Sequence, residues 1–121
     1  MARVTPEEVY QKQEAGENPY ILDLRSKSEF NQDPVIVRGA VYISFDEVKR
    51  RYGEIPRDRD IVVYCTCPNE ATAAKMALFL QHKGIIRVRP LLGGIRAWQE
   101  RKYPTVEVQV TVTKKAGDEG G

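Results

Sequence analysis

The run Ile61-Val62-Val63-Tyr64 is apolar and largely β-branched, and it stops abruptly at Cys65. A tight polar segment follows, Thr66-Cys67-Pro68-Asn69-Glu70, and then an alanine-rich stretch in which Ala73, Met76, Ala77 and Leu80 fall on one helical stripe. A short central strand that gives way at once to an amphipathic helix is the building unit of α/β domains. The rest of the chain alternates in the same manner. Thr5-Pro6-Glu7-Glu8 predicts a helix start, with Thr5 as N-cap, Pro6 at the first position and Glu8 closing a capping box, and Gly16 ends that helix. Residues 20–23 and 39–43 read as strands. Ser44-Phe45-Asp46-Glu47 reads as a second capping box, opening a short helix that runs to Tyr52. The helix over 69–83 is capped by Gly84, residues 87–92 form the next strand, and Gly93-Gly94 turns the chain into a last helix carrying Ile95, Trp98 and Gln99. Thr105 to Val112 alternates strictly and predicts an edge strand, with Lys114 to Gly121 a flexible, solvated tail or the cut end of a longer chain. The expected organisation is one domain over residues 1–104, followed by this strand and tail over 105–121.

Composition narrows the function classes. A chain of 121 residues holds one core, and 41% apolar with 30% charged residues is a soluble, globular balance. A net charge of +2, with no basic stretch interleaved with aromatics, argues against nucleic acid. No apolar run is long enough to insert in a membrane, and Met1-Ala2-Arg3-Val4-Thr5 lacks a signal-peptide core. Two cysteines one residue apart cannot build a disulfide framework, which favours reduced thiols and a cytoplasmic setting. Neither cofactor nor metal is expected. Cys65 and Cys67 would need about two further ligands to hold a zinc ion, and the chain offers one distant histidine.

A thiol just beyond a buried strand and just before a helix sits near unpaired backbone N–H groups and the positive end of a helix dipole. Both favour the thiolate, the nucleophilic form. The plainer reading is a small apolar cysteine that finishes a strand. Asp23 and Arg25 stand at the C-terminal end of another strand, the edge where α/β ligand sites form; a structural ion pair tying loops together is the favoured role for them. Trp98 reads as core. His82 falls on the polar side of its helix, which leaves no imidazole base, so thiol chemistry must rely on the loop itself.

The order of motifs resembles a single rhodanese domain. The matching pieces are Ile21-Leu22-Asp23-Leu24-Arg25 with Ser28-Glu29-Phe30, then Arg38-Gly39-Ala40-Val41-Tyr42-Ile43, then Ile61-Val62-Val63-Tyr64-Cys65, and last Leu91-Leu92-Gly93-Gly94-Ile95-Arg96-Ala97-Trp98. The resemblance spans residues 5 to 104. It implies a parallel five-stranded sheet flanked by helices, with the active loop after the fourth strand. It also implies a sulfurtransferase or sulfur carrier that holds a cysteine persulfide on the loop Cys65-Thr66-Cys67-Pro68-Asn69-Glu70-Ala71-Thr72. A small sulfur donor or a protein persulfide would load it, and a thiol acceptor would unload it.

The loop departs from that family. Active loops commonly carry the nucleophilic cysteine, four variable residues, then an arginine or lysine; here no basic residue appears until Lys75. Glu70 is expected to raise the thiol pKa and repel thiosulfate, and Pro68 removes one N–H. Counting forward from the strand makes Cys65 the nucleophile, whereas counting back from the helix points to Cys67. The strand-end position favours Cys65, with Cys67 either a second thiol or a small loop residue. A catalytically weak binding or regulatory domain, part of a larger membrane-associated protein, is the alternative. A related phosphatase chemistry would need an arginine at the loop's end to hold phosphate oxygens, where Ala71 and Thr72 stand instead.

Overall fold

A computed structural model describes residues 2–66 and 70–109. The elements in chain order are α1 (Pro6–Glu14), β1 (Tyr20–Asp23), α2 (Lys27–Gln32), β2 (Val35–Val37), β3 (Ala40–Tyr42), α3 (Phe45–Arg51), β4 (Ile61–Tyr64), α4 (Ala71–His82), β5 (Val88–Pro90), α5 (Gly94–Glu100) and β6 (Thr105–Glu107). One turn of 3-10 helix, Tyr52–Glu54, extends α3.

All four residues of β4 are buried, because β1 and β5 pair with it in parallel on either side and helices cover both faces. Its side chains divide by the two-residue period of a strand. Ile61 and Val63 join Leu22, Val48, Met76 and Leu80 in a core beneath α3 and α4. Val62 and Tyr64 join Val9, Ile21, Ile95 and Trp98 in a second core beneath α1 and α5. Trp98 is fully buried there, and its indole N–H donates to the Pro104 carbonyl at 2.8 Å.

Among the described residues the main sheet has four strands in the order β3-β1-β4-β5, one fewer than the five expected. The fifth position, beside β5, is held by a single parallel bridge between Val4 and Leu91. Val4 donates to the Pro90 carbonyl and accepts from the Leu92 N–H, both at 2.9 Å. Pro6 and α1 follow two residues later, so the segment is too short to register as a strand. The expected strand at the C-terminal end is β6, which pairs antiparallel with β2 in a separate two-stranded sheet. The continuation of that alternation, residues 110–112, lies outside the described residues.

Local signals behave unevenly. The Thr5 capping box forms in both directions at 3.1 Å, but the one expected at Ser44 does not. Its hydroxyl donates to Glu47 Oε1 at 3.1 Å and caps no amide. A capping box that the reading passed over, Ser26 with Glu29, opens α2. No helix among the described residues is long and apolar enough to cross a membrane.

Candidate active site

Cys65 stands at the end of β4, on the C-terminal edge of the sheet, and is 3% exposed. The turn Gly93-Gly94 packs against its backbone: at Gly94, φ +60°, a Cβ would lie 2.3 Å from the Cys65 carbonyl oxygen. Only glycine fits so close an approach in that left-handed conformation. Thr66 donates its hydroxyl to Glu29 Oε2 at 3.2 Å. The Ser26 N–H, donating to the other Glu29 oxygen, and the Thr66 hydroxyl help hold the Glu29 carboxyl below its ordinary pKa.

Glu70 opens α4 from a left-handed backbone conformation, φ +52°. Its carboxylate is buried and turned toward other segments. Oε2 accepts from the Gly93 N–H at 3.3 Å, and Oε1 lies 2.9 Å from Arg3 Nε. The negative charge expected to repel an anionic donor is therefore matched by a cation from the first residues of the chain. Ala71 and Thr72 form the first turn of α4. Cys67, Pro68 and Asn69 lie outside the described residues.

Two concavities flank the loop. The larger, about 470 Å³, is walled by Lys27, Phe45, Asp46, Thr72 and Lys75. The smaller, about 270 Å³, is walled by Arg25, Asp33, Thr66, Arg96 and Gln99. Glu29 lines both. Cations thus reach the site from α2, α4 and α5. Arg3 and Arg96 escaped the sequence reading, because nothing local in the chain links residue 3 or 96 to residue 70 or 66.

Asp23 and Arg25 form a structural pair beneath the site. The Arg25 guanidinium meets the Asp23 carboxylate through Nε at 3.1 Å and Nη2 at 2.7 Å. It also donates to the Asp33 and Val35 carbonyls at 2.9 and 2.7 Å. Burial alone would lower the Arg25 pKa; the hydrogen bonds and charge of Asp23 outweigh it and raise it. Tyr64 completes the network, donating to Asp23 Oδ2 at 2.8 Å and accepting from the Val37 N–H at 3.1 Å. Burial pushes the Tyr64 hydroxyl pKa well up, and the neighbouring Asp23 charge adds to it, so the group stays a donor. Tyr64→Phe leaves the Val37 N–H without its acceptor and is expected to destabilise the fold by about 1–3 kcal/mol. Urea unfolding measures this; a change within experimental error would show that the hydroxyl is not needed to join β2 to the main sheet.

The rhodanese-like domain model matches residues 5–101. The chain belongs to the rhodanese-like domain family. A sulfurtransferase of Allochromatium vinosum is 32% identical to this rhodanese-like chain over 90 residues, which cover 74% of the chain and 80% of that protein. A tRNA sulfurtransferase of Aeromonas hydrophila is 33% identical over 86 residues, 69% of this chain but 17% of that protein's length. Among solved structures, the rhodanese-like domain of an Anabaena protein superimposes with a TM-score of 0.75 at 24% identity, covering 100% of this chain and 90% of that one. At that identity the likeness establishes the rhodanese fold alone.

Proposed function

We propose that this rhodanese-like protein is a sulfurtransferase or sulfur carrier and that Cys65 is its nucleophile. The observation that carries the reading is the position of Cys65 at the C-terminal end of β4, between that strand and the start of a twelve-residue helix, in a family with relatives named sulfurtransferases. The Cys65 thiolate attacks the outer sulfur of a donor persulfide. A sulfur–sulfur bond forms at Cys65 as the donor's own sulfur–sulfur bond breaks, and the donor leaves as a thiolate. A thiol acceptor, as its thiolate, then attacks the outer sulfur and returns the Cys65 thiolate. The start of α4, through its amides and dipole, favours negative charge on the sulfur in both steps.

Donor choice follows from charge. Residues 65–72 contain no cation, and Arg3 is engaged with Glu70. Dianionic thiosulfate gains little from the loop itself, since Lys27, Lys75 and Arg96 stand on the walls of the flanking concavities, so a protein persulfide or a neutral low-molecular-weight persulfide is the favoured donor. The test is intact and peptide mass spectrometry of the protein after exposure to thiosulfate and, separately, to a low-molecular-weight persulfide. One added sulfur on the Cys65 peptide, faster from the persulfide, is the expected result. A protein that gains no sulfur from either donor would instead be a binding or regulatory domain, and sulfur found on Cys67 alone would move the nucleophile.

A further inference from the structure

Both described ends of the Cys65–Glu70 loop are referenced to one turn. Gly94 stands against the Cys65 carbonyl, where a Cβ would be 2.3 Å away. Its neighbour Gly93 donates its N–H to Glu70 Oε2 at 3.3 Å. The thiol-bearing residue and the first residue before α4 are therefore gauged against the same two glycines.

Local energetics disfavour glutamate at this place. At φ +52° an L-residue with a long side chain is strained relative to its preferred conformations, and glycine would bear no such strain. Its side chain is 8% exposed, and burying a carboxylate adds a further penalty unless the charge is matched and hydrogen-bonded. Oε2 accepts a hydrogen bond from Gly93, while Oε1 is matched in charge by Arg3 without a hydrogen bond. The Glu70 carbonyl meanwhile accepts from the Ala74 N–H at 2.8 Å, setting the first turn of α4. A residue that is unfavourable by conformation and by burial is offset here by what its carboxylate joins.

We infer that Glu70 is a positioning residue for the Cys65 thiol: its carboxylate, clamped between the Gly93 N–H and Arg3, fixes the start of α4 relative to the sulfur. The inference rests on the reading of Cys65 as the reactive thiol. It separates from a simple charge effect by sign. A nearby carboxylate acting through space raises a thiol pKa, so its removal would lower the pKa and speed reaction. A clamp acting through geometry keeps the helix start near the sulfur, so its removal raises the pKa and slows reaction.

The test is the pH dependence of Cys65 alkylation by iodoacetamide, followed on the Cys65 peptide, in wild type, Glu70→Gly, Glu70→Gln and Arg3→Ala. Glu70→Gly relieves the backbone strain while deleting the clamp, so its thermal unfolding temperature should stay close to wild type. Its alkylation profile should move up by about one pH unit, which lowers the rate at neutral pH about tenfold. Glu70→Gln keeps an acceptor for Gly93 and should recover most of that loss, and Arg3→Ala should shift the profile part of the way in the same direction. A wild-type profile in Glu70→Gly, or a downward shift, overturns the inference. Should Glu70→Gly fail to fold, Glu70→Asn, which tolerates the left-handed backbone and carries a shorter, uncharged side chain, decides, and an unchanged or lowered profile there overturns it equally. Alkylation requires no persulfide. A wild type that alkylates at Cys65 but never gains sulfur would refute the sulfur-transfer reading and leave the clamp standing.

Discussion

Cys65→Ser is expected to abolish sulfur loading from any donor while leaving the fold intact. The substitution replaces one sulfur by a somewhat smaller oxygen at a position that is 3% exposed, so the surrounding packing changes little. The chemistry changes completely, because an alcohol is not ionised near neutral pH and forms no persulfide. The measurement is mass spectrometry of the persulfide-treated variant, beside its urea unfolding curve. A variant that still gains one sulfur at the wild-type rate would show that Cys65 is not the nucleophile and would transfer the role to Cys67. A variant that fails to load and also unfolds early would leave the role undecided between chemistry and packing, and Cys65→Ala then separates them.

Arg25→Ala carries the largest expected effect on stability. Arg25 is 1% exposed and Asp23 is fully buried, and the guanidinium also serves two backbone carbonyls and lies 5.2 Å above the Phe30 ring. Truncating it leaves the Asp23 carboxylate buried with, among the described residues, only the Tyr64 hydroxyl and the residue-25 N–H as donors. Removing one partner of such a pair costs about 3–5 kcal/mol, since the other charge stays uncompensated. Arg25→Lys should recover little, because an ammonium cannot reproduce the forked contact and reach both carbonyls. Urea midpoints measure both variants. The double variant Asp23→Leu/Arg25→Met should lose less than Arg25→Ala, as no buried charge remains in it; a greater loss would mean that the pair acts mainly by fixing the chain between Asp33 and Val35.

Periodicity made the framework legible. The β-branched run 61–64 and the helical stripe Ala73, Met76, Ala77 and Leu80 each bury the residues that their spacing selects. Tyr64 was legible only as an apolar strand residue. Its hydroxyl binds groups more than twenty residues away, and strand patterning carries no information about that. β2 escaped notice because three residues after a proline have no period of their own, and they become a strand only through β6. The pairing of Asp23 with Arg25 could be read locally, since two residues separate them. The pairing of Glu70 with Arg3 could not, because the fold alone brings residue 3 beside residue 70.

The bridge between Val4 and Leu91 joins positions separated by nearly the whole described chain. Closing so long a loop gains two hydrogen bonds but must overcome the full entropy of bringing its ends together. Contacts of that kind form late in folding, and local opening here requires only that Val4 leave the core beneath α1 and α5. Arg3 is the residue next to this bridge, so each local opening at Val4 loosens the counter-charge of Glu70 while the sheet between β3 and β5 remains closed. Amide exchange at Val4 and Leu92 should accordingly report on how often the thiol's surroundings are released without global unfolding.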